Sequence, residues 1–168
     1  HNRKLLNVEL GRVSADEYRN LPESGLVLVL DNIRSAHNVG SAFRTADSFK
    51  VDKVWLCGIC AVPPSAEIHK SALGAENSVE WEHVADTMEA VERLKQDGYK
   101  IVSVEQTVGS VMLDQFAPAR GKKYALVFGN EVAGVDQKVV DASDFSLEIP
   151  QYGTKHSLNV SVSVGVIL

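Results

Sequence analysis

Three polar loops hold the side chains of this sequence that could do chemistry. The first runs from Asp31 to Gly40, the second from Gly129 to Gly134 and the third from Pro150 to Asn159. They contain amide, hydroxyl, carboxylate and guanidinium groups, which bind hydroxyls and phosphates and can move protons. Each loop directly follows an apolar run, so the chemistry is predicted to lie where strands end.

The spacing within these loops disfavours several common classes of enzyme. Gly129 and Gly134 have the spacing of a P-loop, but Val135 and Asp136 stand where lysine and serine or threonine would bind phosphate and magnesium. No G-x-G-x-x-G follows a strand, as a dinucleotide site requires. No G-x-S-x-G presents a serine nucleophile. A nucleotide triphosphatase, a dehydrogenase and a hydrolase are therefore not expected.

Cys57 and Cys60 form a C-x-x-C. Thioredoxin-like chemistry needs the first thiol at a helix N-terminus, whereas a loop with two prolines follows here. A zinc site needs two more ligands, and the nearby His69 and His83 match no familiar finger spacing. We expect both cysteines to be small apolar residues at the end of a buried strand, and we expect no metal.

The elements that position the polar loops are apolar runs alternating with helical patterns. Five continuous runs predict strands buried on both faces of a parallel sheet, and Val79 to Trp81 predicts a further short strand. The clearest helix spans Asp86 to Gln96 and is closed by Asp97 and Gly98. Together they predict an α/β fold with a mostly parallel sheet flanked by helices, whose ligands lie beyond the carboxyl ends of the strands. The five runs are residues 26–30, 54–57, 101–104, 124–128 and 145–149.

The net charge of −5 is unusual for a protein that binds nucleic acid, but its distribution is uneven. Eight acidic and three basic residues lie between Ala61 and Asp97, so we expect this segment to face away from any polyanion. The basic clusters elsewhere are either solvated surface or contacts to a polyanion. These clusters are Arg3, Lys4, Arg12 and Arg19, and then Arg120, Lys122 and Lys123.

Hydropathy predicts a protein that is not in a membrane. No apolar run approaches the roughly 18 residues that a membrane-spanning helix needs. The N-terminus has no basic, then apolar, then small-residue pattern of a secretory signal. A cytoplasmic location is therefore the expectation.

Taken in order, the three loops resemble the motifs of the SpoU, or TrmH-like, branch of the SPOUT RNA methyltransferases. The first motif, N-x-G-x-x-x-R-T-A, matches residues 38–46. The second matches LVFGNEVAGV at 126–135, and the third matches Ile149-Pro150 followed by SLNVS at 157–161. Three ordered motifs, each at a strand end, make coincidence improbable.

The resemblance extends from about Leu26 to the C-terminus. Residues 1–25 are therefore interpreted as an N-terminal arm and residues 26–168 as one methyltransferase domain. The family fold implies a deep trefoil knot, in which the C-terminal segment threads through an earlier loop. Such a knot is an exception to the usual absence of knots in proteins.

The resemblance implies an enzyme that transfers a methyl group from S-adenosylmethionine to a ribose 2′-hydroxyl of tRNA or rRNA. Arg44 is implied either as the general base or as a clamp on an RNA phosphate, and the sequence leaves both roles open. The implied adenosine contacts are Gly129, Ile149 and Leu158. The implied hydrogen-bonding groups around Arg44 and the nucleotide are Asn38, Glu131, Ser157 and Asn159. Asn38 and Ser157 could instead be helix caps.

Two positions depart from the family pattern. Gln151 stands where the third motif usually has methionine, which affects one wall of the implied pocket. The helix expected to begin at Ser157 is still apolar at Leu168, which predicts that the native helix continues. The resemblance also implies a homodimer packed through this helix.

Two other functions compete on the same fold. One is a catalytically inactive RNA-binding protein, and the intact Arg44 and third motif argue against it. The other is a small-molecule methyltransferase, which would need no RNA surface.

Overall fold

A computed structural model describes residues 3–153 and 158–168 of the chain, and a parallel β-sheet forms its centre. The strands are β1 (Leu26–Asp31), β2 (Lys53–Cys57), β3 (Glu80–Val84), β4 (Tyr99–Val104), β5 (Val111–Met112), β6 (Lys123–Phe128) and β7 (Phe145–Glu148). Their order across the sheet is β3-β2-β1-β6-β4-β7-β5, and every neighbouring pair is parallel. All seven strands therefore point their carboxyl ends at the same edge.

Helices cover both faces of this sheet. They are α1 (Ala15–Arg19), α2 (Ala36–Ser48), α3 (Ala66–Ala72), α4 (Thr87–Gln96), α5 (Gln137–Ala142) and α6 (Val160–Ile167). Short 3-10 turns lie at Asn7–Leu10, Ala75–Asn77 and Leu113–Gln115. The predicted α/β class, with a mostly parallel sheet flanked by helices, is confirmed.

The continuous apolar run of β1 is explained by two separate cores. Leu28 and Leu30 pack with residues of α2, α3 and α6 on one face of the sheet. Val27 and Val29 pack with residues of α4 and α5 on the other face. Since successive side chains of a strand point to opposite faces, a strand between two helical layers must be apolar at every position.

Most of the predicted elements have the expected bounds to within about a residue, and three differ. The short strand predicted at Val79 to Trp81 is β3, which begins one residue later and extends to Val84. The helix over Asp86 to Gln96 is α4, with Asp86 as its N-cap, and Gly98 follows it with a φ of 87°. β5 was not predicted, because two residues are too short to show a hydrophobic period. α6 begins at Val160 rather than at Ser157, since the Asn159 side chain accepts from the Ser161 amide at 2.9 Å.

Gly40 lets two helices approach closely on one face of the sheet. A Cβ built on it would lie 2.4 Å from the carbonyl oxygen of Ile68 and 1.9 Å from the Ser71 hydroxyl oxygen. α2 and α3 therefore pack backbone against backbone at this point. The first glycine of the first motif thus has a packing role.

β7 lies between two strands that are consecutive in the chain. It pairs with β4 on one side, where Ser103 faces Ser146, and with β5 on the other, where Val111 faces Leu147. The segment from β4 to β6 therefore reaches around β7, an arrangement that a threaded C-terminus requires. Residues 154–157 lie outside the described residues, and the trefoil knot stays a prediction.

The segment before β1 is anchored to the body of the protein by α1. Tyr18 is buried there, with its hydroxyl 3.4 Å from the carbonyl oxygen of Ala46, and Arg19 donates to the carbonyl oxygen of Asn77 at 2.8 Å. Burial, together with the carboxylates of Asp47 and Asp52, raises the pKa of Tyr18 to about 12. Nowhere in the described ranges is a helix both long and apolar enough to cross a membrane.

Candidate active site at the carboxyl ends of the strands

A cavity of about 290 Å³ opens where β4, β6 and β7 end. Parallel strands bring their carboxyl ends to one edge, so loops that are far apart in sequence become neighbours there. The cavity is walled by Gly129 and the loop after β6, by Ile149 after β7, and by Leu158 and Val160 at the start of α6. The three residues implied as adenosine contacts therefore line one space.

Glu131 lies in the same wall and joins the second motif to the first. Asn38 Nδ2 donates to Glu131 Oε1 at 2.8 Å, and Asn38 is 7% exposed. Ser35, not Asn38, caps α2, since its hydroxyl accepts from the Asn38 amide at 3.1 Å. The side chain of Asn38 is therefore committed to Glu131, and the capping alternative for Asn38 is wrong.

The loop after β6 closes on itself around Gly129. A Cβ on Gly129 would lie 2.1 Å from the Val135 amide nitrogen and 2.2 Å from the Gly134 carbonyl carbon. Asn130 and Gly134 exchange backbone hydrogen bonds at 2.9 and 3.1 Å, and the Asn130 side chain accepts from the amides of Val132 and Ala133. Gly129 is thus required because any side chain there would collide with the backbone of the same loop.

A buried carboxylate, Asp31, connects this loop to the end of β1. Asp31 is 2% exposed and accepts hydrogen bonds from the Thr87 hydroxyl at 2.6 Å, the Asn32 side-chain amide at 3.0 Å and the Asp136 backbone amide at 2.9 Å. Three donors meet the hydrogen-bonding demand of a charge that has left water. The arrangement fixes β1, the start of α4 and the end of the loop after β6 relative to one another.

Sequence reasoning missed Glu105, which follows β4 at the same edge. Its Oε2 accepts from the Val135 amide at 3.1 Å, and a Cβ on Gly134 would lie 2.8 Å from that oxygen. The signal was available, because the apolar run that predicts β4 stops at a charged residue. Glu148, at the end of β7, also lines the cavity and accepts from the Ser110 hydroxyl at 2.6 Å.

Neither Arg44 nor Asn159 is among the residues that line the cavity, and Asn38 reaches it only through Glu131. Arg44 is exposed on α2, six residues beyond Asn38, which is roughly 9 Å along the axis and on another face of the helix. Asn159 uses its side-chain oxygen to cap α6. Ser157 lies outside the described residues. Gln151, the position that departs from the family pattern, does line the cavity.

The cysteines lie beside this site as buried, free thiols. Cys60 Sγ accepts from the Ile33 amide and donates to the carbonyl oxygen of Leu30, both at 3.2 Å. Burial raises the pKa of both thiols above the usual range, so neither is readily ionised. Within the described ranges, no group of three or more His, Cys, Asp or Glu side chains is placed to hold a metal ion.

The SpoU rRNA methylase family matches residues 25–168 of the chain. A 23S rRNA (guanosine-2'-O-)-methyltransferase from Nitrosomonas europaea is 36% identical over 157 residues, which cover 91% of this chain and 58% of that relative. The chain thus spans about three fifths of the length of the curated relatives it matches.

Solved structures of methyltransferases have the same fold. An AdoMet-bound rRNA methyltransferase from Sinorhizobium meliloti superposes with a TM-score of 0.79 at 26% identity, covering 89% of this chain and 57% of that one. A TrmH/SpoU tRNA modifying enzyme from A. aeolicus gives a TM-score of 0.78 at 29% identity, covering 91% and 76%.

The closure of the loop at Gly129 predicts a matched pair of glycine substitutions. Gly129→Ala should lower the free energy of unfolding by about 1–3 kcal/mol, because the added methyl meets backbone atoms that cannot move cheaply. Gly153→Ala should change it by no more than about 0.5 kcal/mol, since no atom of the described residues lies within 4 Å of a Cβ at that position. Urea unfolding of the two variants measures the difference, and equal changes would contradict the role given to Gly129.

Proposed function

The chain belongs to the SpoU rRNA methylase family, and from this membership and the cavity we propose that it transfers a methyl group from S-adenosylmethionine to a ribose 2′-hydroxyl of rRNA or tRNA. The observation that carries the proposal is the meeting of Gly129, Ile149 and Leu158 around one cavity, with Glu131 in its wall. The reaction class and the kinds of RNA follow from the similarity to a 23S rRNA (guanosine-2'-O-)-methyltransferase and to a tRNA modifying enzyme. We further propose that the protein acts in the cytoplasm, where it would meet these RNAs.

The cavity suits this cofactor in size, polarity and charge. Its volume of about 290 Å³ is near the lower end of the range for small-molecule sites. Leu147, Ile149 and Leu158 offer apolar surface for the adenine. Glu105, Glu131 and Glu148 supply three carboxylates, and no lysine, arginine or histidine is among the lining residues that the structure describes. An acidic lining favours a ligand that carries a positively charged sulfonium and an ammonium group.

When bound, S-adenosylmethionine supplies a methyl group activated by the positive charge on its sulfur. In the proposed reaction the methyl group would pass to the ribose oxygen, the demethylated cofactor would leave, and the proton of the hydroxyl would go to a base. The residues of the chain must hold the hydroxyl in line with the bond between sulfur and the methyl carbon and take up its proton. We assign the first task to Glu131, whose carboxylate is held by Asn38 and stands at the rim of the cavity.

Arg44 is the residue we propose for the second task, as the base or as an electrostatic partner of the reacting nucleotide. Its side chain has no hydrogen bond or ion pair with any described residue, and it is exposed. Its position on α2 means that RNA or a second copy of the chain must approach this helix before Arg44 can act. A guanidinium gives up a proton only when a neighbouring group perturbs it, and an RNA phosphate could serve that purpose.

The proposed function predicts methyl transfer to RNA. With tritiated S-adenosylmethionine, the protein should label unmodified rRNA or tRNA transcripts at a ribose 2′-hydroxyl, because the proposed reaction transfers the labelled methyl group to that oxygen. It should leave a pool of small metabolites unlabelled. Binding of RNA without any labelling would favour the inactive RNA-binding protein, and labelling of the metabolite pool would favour a small-molecule enzyme.

Two substitutions at Arg44 separate its two possible roles. If it acts in the transition state, Arg44→Ala and Arg44→Lys should both cut turnover by about a hundredfold or more, with cofactor affinity nearly constant. If it only clamps a phosphate, lysine should retain part of the attraction, and the defect should lie in the KM for RNA. We expect the first result. Steady-state kinetics with calorimetry measures both, and full activity in Arg44→Ala would contradict either role.

We also propose that the protein is a homodimer that packs through α2 and α6. Val162 and Val166 lie one helical turn apart on α6 and are 51% and 46% exposed, and Phe49 at the end of α2 is 49% exposed. α2 and α6 pack against each other, so these side chains belong to neighbouring elements. Apolar side chains grouped in this way are typical of an interface between subunits.

Light scattering at micromolar concentration should give the mass of two chains. A Val162→Lys, Val166→Lys variant should give the mass of one, because each lysine would bury a charge in the interface. The matched control is Val108→Lys, at a fully exposed valine in the loop after β4, which should stay dimeric. A wild-type protein that scatters as a monomer would be evidence against the dimer.

A further inference from the structure

A second, larger space lies on the other side of the loop after β6. It is an open groove of about 860 Å³ between that loop and the loops that follow β1 and β2. Residues 130–134 line both this groove and the 290 Å³ cavity, so one loop separates the two spaces. A ligand in the groove would thus lie beside anything bound in the cavity.

Arg34 is the only cationic side chain among the described residues that line this groove. It is exposed, and it makes no hydrogen bond or ion pair with a described residue. A guanidinium in this state retains all five of its donors for a ligand. Its planar fork matches two oxygens of a phosphate or carboxylate.

The backbone that carries Arg34 is held in place by the residues before it. Asn32 has a φ of 55°, and its side chain donates to Asp31 and accepts from the Ile59 amide, both at 3.0 Å. Its carbonyl oxygen accepts from the Asn130 side chain at 2.8 Å. Ile33 is fully buried. Arg34 therefore extends from a fixed base, which lowers the entropic cost of binding a ligand there.

None of the three carboxylates that line the groove forms an ion pair with Arg34. Asp31 accepts from three donors. Asp136 caps α5 by accepting from the Lys138 amide at 2.9 Å, and Glu131 accepts from Asn38. Since the lining has more carboxylates than cations, an anion would be held by direct contact with the guanidinium and not by the overall charge of the groove.

Two apolar side chains complete the lining of the groove. Ile59 is 53% exposed and Val132 is 96% exposed, although both are aliphatic. Exposed apolar surface beside a free guanidinium suits a ligand with a flat apolar part and an anionic part. A nucleotide has both, as a base and a phosphate.

We propose that this groove binds the RNA nucleotide whose ribose is methylated, with Arg34 bound to a phosphate next to that ribose and Ile59 and Val132 against the base. This inference rests on the proposed function and adds the position of the substrate. The ribose then lies over residues 130–134, next to Glu131 and facing the cofactor cavity. Arg34 is a substrate-binding residue in this scheme, and it takes no part in proton transfer.

The test compares Arg34→Ala and Arg34→Lys with a matched control on the far edge of the sheet. The control is Lys95→Ala, an exposed residue near the C-terminal end of α4. α4 starts beside Asp31, and Lys95 lies roughly 12 Å further along its axis. The probe is a pool of unmodified rRNA and tRNA transcripts. Methyl transfer, fluorescence anisotropy at several salt concentrations and calorimetry with S-adenosylmethionine are measured on each variant.

Arg34→Ala should raise the KM for RNA about tenfold, the effect of losing one charge-assisted contact. The slope of log affinity against log salt should become less negative by about 0.7–0.9, because one fewer phosphate is neutralised. Arg34→Lys should be intermediate, and Lys95→Ala should match the wild type. Cofactor affinity and turnover at saturating RNA should change by less than about twofold in all three, since the contact is made equally before and during the reaction.

Two results would overturn the inference, and they can be told apart. If the wild type labels RNA while Arg34→Ala retains the wild-type KM and salt slope, the groove does not bind the substrate phosphate and the proposed function stands. If the wild type labels no RNA, the proposed function fails and the inference fails with it.

Discussion

The contact between Gly129 and the backbone at 134–135 is the constraint on which the site depends. It leaves no space for a Cβ, so the loop after β6 must turn back immediately beyond the strand. The Asn130 side chain, Glu105 and Asp31 then hold the turned chain at three separate points. Because a single stretch of chain, residues 130–134, lines both the cavity of about 290 Å³ and the open groove, it forms a wall that the two spaces share.

At this edge of the sheet, the buried carboxylate of Asp31 is stabilised by hydrogen bonds and not by an ion pair with a described residue. Three hydrogen-bond donors, and no cation of the described residues, contact the side chain of Asp31. The ion pairs of the described residues lie elsewhere, as at Arg93 and Glu82 on the surface of α4 and β3.

The sequence predicts this fold well wherever a hydrophobic period is long enough to detect. The run at 26–30 specifies a strand between two cores, and the spacing from Asp86 to Gln96 specifies an amphipathic helix. β5 and the start of α6 depend on pairing and on the Asn159 cap, which no period reveals. At the candidate site, the family motifs indicated Gly129, Ile149 and Leu158, and all three line the cavity. The sequence does not reveal the contact of Glu105 with Val135, because the two residues are far apart along the chain. It also does not reveal that Arg44 is exposed, because this depends on which face of α2 packs against the sheet.

The place of β7 in the sheet also has a consequence for the order in which the chain folds. β5 has β7 as its only partner among the described strands, so β5 cannot join the sheet before β7, whereas β7 can pair with β4 alone. Strands β1, β2, β3 and β6 need nothing from the last quarter of the sequence in order to pair. These four strands leave the ribosome before β7, and the edge beyond β4 stays unpaired until β7 has been made. The cavity of about 290 Å³, which has walls from β7 and α6, can therefore form only after the strands β1, β2, β3 and β6 have paired.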